Sequence, residues 1–349
     1  MHYTELDTPA LIIDVDVLEK NVRDMQADCD RLGIGLRAHT KTHKTPAIAR
    51  MQIKAGAVGI CCQKLGEAEV MADTGIEDIL ISYNIVGPAK LGRLTRLVRK
   101  KISSITVVAD SSIVVDGLAR QAAKDNCTIR VMVEMDTGGR RCGAPTPKAT
   151  LALTQRIDRL PGLEFAGAMF YKGTHTAGPY IDEARNLLDT AGLPLPIVSG
   201  GGTGAQAKCK ALGCTEARIG SYAYEGMTRT NRREQLCPDR NPVRVVVTVV
   251  SANRSGDVVA DAGQKSFTSY PSTPYGYCIE HPEIYLEKMS VEHGHVNTSE
   301  LTRKLEVGTV ISFIPQHGGM TTNLYDRMYA VRGTEVVEEW VIAGRGKAQ

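Results

Sequence analysis

Short apolar runs separated by longer amphipathic stretches set the rhythm of the chain up to about residue 240. Runs with strand character fall at Gly35–His39, Ala57–Cys61, Asp78–Ser82, Ile105–Ala109, Ile129–Glu134, Glu164–Phe170, Leu195–Ser199 and Glu216–Ile219. Most of the intervals carry helical spacing, as in Lys64–Ala72, Lys90–Val98, Ile113–Ala123 and Lys148–Ile157. Strands alternating with helices specify a parallel α/β protein, and eight such units point to a closed (β/α)8 barrel of the TIM type. The competing open, doubly wound sheet would carry GxGxxG after its first strand, and none is present. Ahead of the eight units, Ala10–Val15 reads as a strand. It runs into a helix with apolar positions Val17, Leu18, Val22, Met25 and Cys29.

After residue 240 the pattern changes. Valine-rich runs alternate with turn residues in NPVRVVVTVVSANRSGDVVADAG, and KLEVGTVISFIP, RMYAVRG and EVVEEWVIAG continue in the same manner. These are strands and hairpins with little helix. The expected organisation is a barrel over residues 16–240 and a smaller all-β domain over 241–349, which residues 1–15 join.

Composition narrows the function more than the fold. Of 349 residues, 42% are hydrophobic and 23% charged, with a net charge of +3. An interspersed, nearly neutral surface suggests neither a nucleic-acid nor a membrane partner. No basic segment followed by an apolar one opens the chain, and no uncharged apolar run is long enough to span a bilayer. Nine cysteines without a CxxC pair argue against a zinc ribbon. Their odd count and scatter suit free thiols in a reducing cytoplasm.

In a barrel the chemistry sits where strands end. The eight runs are followed in turn by Thr40-Lys41-Thr42-His43, by Cys62 and Gln63, by Tyr83 and Asn84, by Asp110, by DTGGRRCG (136–143), by Tyr171, Lys172, Gly173 and His175, by SGGGTG (199–204), and by Gly220-Ser221-Tyr222. Lys41 lies in RAHTKTHK, just beyond His39. Partly desolvated there, its amine loses its proton and can attack an aldehyde to form an imine; the plainer alternative is a solvated basic loop. Three glycines between a strand and a helix, Gly200 to Gly202, leave backbone amides free to close on an anion. The plainer alternative there is a flexible turn. Two such loops, after the seventh and eighth strands, favour a phosphate grip. A phosphate site across the mouth from a lysine matches pyridoxal phosphate. Arg141 is placed to reach the cofactor's phenolate oxygen. Arg218 is placed to donate a hydrogen bond to its ring nitrogen without giving up a proton.

The segments LDTPALIIDVDVLEKN, RAHTKTHK, GICCQKLGEAEVMA, DTGGRRCG, VSGGGTG, RIGSYAY, DAGQK, EHG and PQHGGMTTNLYD together resemble the D-threonine aldolase / D-serine dehydratase family. These are fold-type III pyridoxal-phosphate enzymes with an alanine racemase-like barrel. The resemblance implies that Lys41 carries the cofactor. It implies that His39, Gln63, Arg141, Tyr171, Ser199, Gly201, Gly202, Thr203, Arg218, Gly220, Ser221 and Tyr222 surround it. It also implies a homodimer, with the β-domain of one subunit over the other's barrel mouth. The expected substrate is a small D-β-hydroxy-α-amino acid, split by retro-aldol cleavage or dehydrated.

Members of the family also hold a divalent metal through a histidine and a second ligand two residues on, a Cys or Asp. Here the histidine is His317, and position 319 is a glycine. The metal is therefore in question. Tyr171, His175, His293 and His317 are the acid–base candidates. Two alternatives stay open. One is a metal-free amino-acid racemase or epimerase, and the other is a non-catalytic cofactor carrier, against which the DAGQK and EHG segments argue because such carriers lack a second domain.

Overall fold

The computed structural model describes residues 1–171, 175–225, 237–270 and 273–349. Within these the chain divides into two compact units. One comprises Gln26–Lys41, Ile48–Gly220 and Lys347–Gln349; the other comprises Met1–Met25, Thr42–Ala47 and Ser221–Gly346.

The first unit is built on eight parallel strands: β2 (Gly35–His39), β3 (Gly59–Cys62), β4 (Asp78–Asn84), β5 (Ser104–Ala109), β6 (Ile129–Met135), β7 (Leu163–Phe170), β8 (Val198–Gly201) and β9 (Glu216–Ile219). They pair in sequence and close through β2 and β9, with Gly35 opposite Glu216 and Ala38 opposite Ile219. Side chains on a strand alternate between faces, and β3 shows the result. Cys61 joins Leu80, Val108, Met132, Ala166 and Met169 inside the barrel. Ile60 and Cys62 face outward into a larger cluster with Leu65, Met71, Leu94, Leu118 and Ile157. Most of that cluster is fully buried, and each such aliphatic side chain contributes about 1.5–3 kcal/mol.

The outer layer comprises α2 (Pro46–Lys54), α3 (Leu65–Ala72), α4 (Pro88–Lys100), α5 (Ser112–Asp125), α6 (Pro147–Arg159), α7 (Ala177–Thr190) and α8 (Gln206–Ala211). Local signals set their ends. Thr146 accepts the Ala149 amide at the start of α6, with Pro147 in its first turn. Lys101 and Asn126 close α4 and α5 in the left-handed conformation.

Two strands start later than the sequence pattern. The run Leu195–Ser199 becomes a strand only from Val198. Pro194 and Pro196 have no amide hydrogen for a ladder. The run Ala57–Cys61 begins pairing at Gly59, because the Ala57 amide bonds back to the Gln52 carbonyl of α2.

The second unit contains β1 (Ala10–Asp14), followed by helix α1 (Val15–Leu32), which continues into the barrel unit. Asp14 starts that helix by accepting the Val17 amide. Leu18, Val22, Met25 and Cys29 are its buried stripe. Short α9 (Tyr222–Glu225) precedes β10 (Val243–Arg254), β11 (Asp257–Ala260), β12 (Gly276–Cys278), β13 (Tyr285–Met289), β14 (Gly294–Asn297), β15 (Val310–Pro315), α10 (Gly318–Thr322), β16 (Arg327–Arg332) and β17 (Glu335–Val341). Strands β10, β11, β14, β13, β12 and β15 pair antiparallel in a ring, because β11 bonds to both β14 and β10. From β10 the sheet extends through β1 and β16 to β17. Leu6, Ala10, Ile12, Val246 and Val331 pack together across those strands. At the outer edge of β17 the N-terminus bridges to Glu335 and Val336, and Glu338 and Glu339 further along are charges that discourage pairing with another chain.

Candidate active site

Four charged side chains enter the barrel from β2, β4 and β9 and fix its polar interior. Arg37 Nε donates to Glu216 Oε1 at 2.7 Å, and its NH1 donates to Asp78 Oδ1 at 2.6 Å. The Ser199 hydroxyl donates to the same Glu216 oxygen at 2.6 Å and accepts from Arg218 NH1 at 2.8 Å. Arg218 also donates to the Ser199 and Phe170 carbonyls, both at 2.6 Å. Arg37, Glu216, Ser199 and Arg218 are all buried. Burial alone would lower the Arg37 pKa, but Glu216 and Asp78 more than offset it and hold the guanidinium charged.

One pleat further along β2 comes His39. It is 7% exposed, and its Nδ1 has no hydrogen-bond partner among the described residues. Burial, then the positive charges of Lys41 and Arg218, push its pKa well below 6.5, so the imidazole is neutral. The sign of the resulting pH effect follows. An unfolded chain takes up this proton as pH falls through about 6.5, whereas the fold resists it. Stability is thus fully present above that pH and declines on the acid side. His39→Gln is expected to flatten the acid limb, read as urea midpoints across pH. An unchanged slope would place the titration elsewhere.

Lys41 follows in the 3-10 turn Thr40–Thr42 and is exposed. The sequence led us to expect partial desolvation. The single tight turn buries Thr40, which donates to the Cys61 carbonyl at 3.2 Å, and leaves the lysine at the rim. Gln63 donates to the Ser82 carbonyl at 3.2 Å. Gly200 and Gly201 are glycines because β8 runs hard against its neighbours. A Cβ at 200 would stand 2.8 Å from Cys209 Sγ, and one at 201 would stand 2.5 Å from the Arg218 carbonyl oxygen. Gly202 and Gly204, both at positive φ, have nothing within 4 Å of a Cβ position. With Thr203 between them they leave open space at the end of β8, as a bound anion requires.

Arg141 rides over the Tyr171 ring, its Cζ 4.2 Å from the centroid, and sits 3.7 Å from Glu134 Oε1. Asp136 folds its loop by accepting the Gly138 and Arg140 amides, each at 3.0 Å. Glu134 escaped notice in the sequence, yet an acid closing a run of valines and methionines on β6 is a signal. Burial lifts its carboxyl above the usual range, with Arg141 and Arg218 pulling the other way. Arg37 and Glu216 were missed as well, because they read as ordinary strand residues. Tyr171 and His175 lie beyond the end of β7 and are exposed. Lys172 and Gly173 lie outside the described residues.

The remaining candidates belong to the second unit. Ser221 and buried Tyr222 begin its α9 segment. His293 is exposed beside the turn that joins two sequence motifs, where Gln264 and Lys265 amides bond to the Ser290 and Val291 carbonyls. His317 caps α10, its Nδ1 accepting the Met320 amide at 3.2 Å. A Cβ at Gly319 would stand 3.1 Å from the Thr42 carbonyl oxygen.

Polar groups converging where the strands of a parallel barrel end are the mark of an α/β-barrel enzyme. The chain belongs to the family of the alanine racemase N-terminal domain, whose model matches residues 13–227; residues 243–331 match the serine dehydratase domain. It is 35% identical to D-threonine aldolase of Arthrobacter sp., over 98% of this chain and 93% of that protein. The crystal structure of D-threonine aldolase from Filomicrobium marinum superposes with a TM-score of 0.90 at 31% identity, covering 99% of this chain and 98% of that one. D-threo-3-hydroxyaspartate dehydratase has been solved as a histidine-to-alanine mutant and as a cysteine-to-alanine mutant in the metal-free form. These are 25% and 27% identical, with TM-scores of 0.85 and 0.84; each covers 98% of this chain, and 96% and 98% of its own.

Pyridoxal phosphate, which this family implies, fits the residues present. The barrel offers a primary amine at Lys41, a fixed guanidinium at Arg218, a neutral imidazole at His39 whose Nδ1 has no partner among the described residues, and an open glycine loop at 202–204.

Proposed function

We propose that this chain is a pyridoxal-phosphate lyase that cleaves D-configured β-hydroxy-α-amino acids to glycine and an aldehyde. The observation that carries the reading is the full-length similarity to D-threonine aldolase, with Lys41 at the end of β2 and the Arg218 network beneath it. When bound, the cofactor supplies an aldehyde for an amine and draws electrons from the bonds at Cα. Lys41 would hold it through its amine, and Gly202, Thr203 and Gly204 would take its phosphate. A guanidinium has only N–H donors, so toward a ring nitrogen Arg218 would donate a hydrogen bond and no proton. Neutral His39 adds no further positive charge beside Lys41 and Arg218. Arg141, steadied by Glu134 and the Tyr171 ring, presents a cation at the mouth.

In the cleavage the Cα–Cβ bond breaks, the β-hydroxyl gives up its proton, and Cα regains one. Tyr171, His175, His293 and His317 are the groups we assign to those transfers. The reading includes a homodimer in the cytoplasm, a compartment that suits nine free thiols. Among the described residues no helix is long and apolar enough to cross a membrane.

Incubating cofactor-loaded protein with D-threonine, D-3-hydroxyaspartate and D-serine tests the reading. Glycine with the matching aldehyde is the expected product. A 2-oxo acid with ammonia would assign dehydration instead. Deuterium uptake at Cα with no cleavage would assign racemisation.

A further inference from the structure

We infer that the segment after β15 holds no divalent metal ion, and that this chain's reaction needs none. The second half rests on the lyase reading; the first does not. In the dehydratase the mutated histidine and cysteine are two positions apart, and the cysteine mutant was solved in a metal-free form. The residues with that spacing here are His317 and Gly319.

Three observations separate this patch from a metal site. Glycine brings no donor atom, and the space for one is already taken. The first carbon of any side chain at 319 would crowd the Thr42 carbonyl at 3.1 Å and the Thr42 Cα at 3.5 Å. A ligand there requires the backbone next to Lys41 to give way. His317 is the second observation. Its Nδ1 accepts the Met320 amide hydrogen, so the neutral ring carries its own proton on Nε2. A histidine that ligates through Nε2 needs the reverse arrangement, with the proton on Nδ1 and given to an acceptor. Ligation through Nδ1 would displace the amide hydrogen that starts α10. The ring is set as a hydrogen-bond donor. The third observation is wider. Among the described residues no three His, Cys, Asp or Glu side chains come together, so the chain offers no fuller metal site in place of the two-residue one.

A metal in such an enzyme polarises an oxygen or lowers the pKa of a bound hydroxyl. Without one, that proton passes to a protein base.

The test uses the cofactor-loaded protein purified without chelator. Elemental analysis is expected to find no stoichiometric manganese, zinc or calcium. Calorimetric titration with manganese and zinc chlorides is expected to show no saturable site. Cleavage of D-threonine is expected to change by less than about twofold after chelation and dialysis. Nitrogen NMR of the His317 ring is expected to show the Nε2–H form before and after zinc. One bound ion per chain would overturn the inference, as would loss of the Nε2–H signal on adding zinc. So would an activity that falls about tenfold on chelation and returns with added metal. If none of the three amino acids is turned over, the lyase reading fails alone, because the titration and elemental analysis still decide the metal.

Discussion

Lys41→Ala is expected to lower kcat on D-threonine by at least about 10³-fold, because the variant has no amine where the cofactor would be anchored. The loss should appear in a second measurement that does not depend on turnover. Borohydride treatment of loaded wild-type protein is expected to fix the cofactor to the chain, with the label mapping to the peptide that holds Lys41. The alanine variant is expected to fix none. Its fold should be intact, since the side chain is exposed. Thermal unfolding of the cofactor-free protein provides that control. A variant that still fixes cofactor would remove Lys41 from the site altogether.

Glu216→Ala is expected to cost about 3–5 kcal/mol of stability, the usual range when one partner of a buried ion pair is removed. The carboxylate accepts from both Arg37 and Ser199 inside the barrel. After truncation Arg37 keeps partly exposed Asp78 as its one ion-pair partner among the described residues, with a longer bond to the Ile60 carbonyl at 3.4 Å, and the Ser199 hydroxyl loses its acceptor. Glu216→Gln keeps an oxygen for both donors and gives up only the charge, so it is expected to fall between the wild type and alanine. The urea midpoint should move with an unchanged slope. A midpoint unmoved by the alanine change would show that the pair is not part of what holds the barrel.

The eight-strand rhythm was legible because both faces of a parallel strand are buried, which writes near-continuous apolar runs into the sequence. Gly35–His39 and Glu216–Ile219 coincide with β2 and β9 to the residue. Leu195–Ser199 was misplaced because apolar character outweighed two prolines that cannot join a ladder. Of the candidate site, the glycine loop and Lys41 stood out, as such residue types have little other use at a strand's end. Their environments did not. The neutrality of His39 comes from burial and from Lys41 and Arg218 together, and the Arg37–Glu216 pair joins residues far apart in the chain. No local spacing encodes either.

Two-residue steps along β2 and β9 have a consequence for how this protein can change. Arg37 and His39 occupy successive inward positions on one strand, and Glu216 and Arg218 do so on the other, with Ser199 tying the two layers together. The inner layer ties the strands together, and the outer layer would face the cofactor in the proposed reaction. Neither strand can slip by one residue without turning both layers out of the barrel. Neither layer can be redesigned without straining the other. Variation in substrate preference therefore has little room on these strands. It should accumulate in the segments beyond them, where a loop can change length and leave the charge ladder below in register.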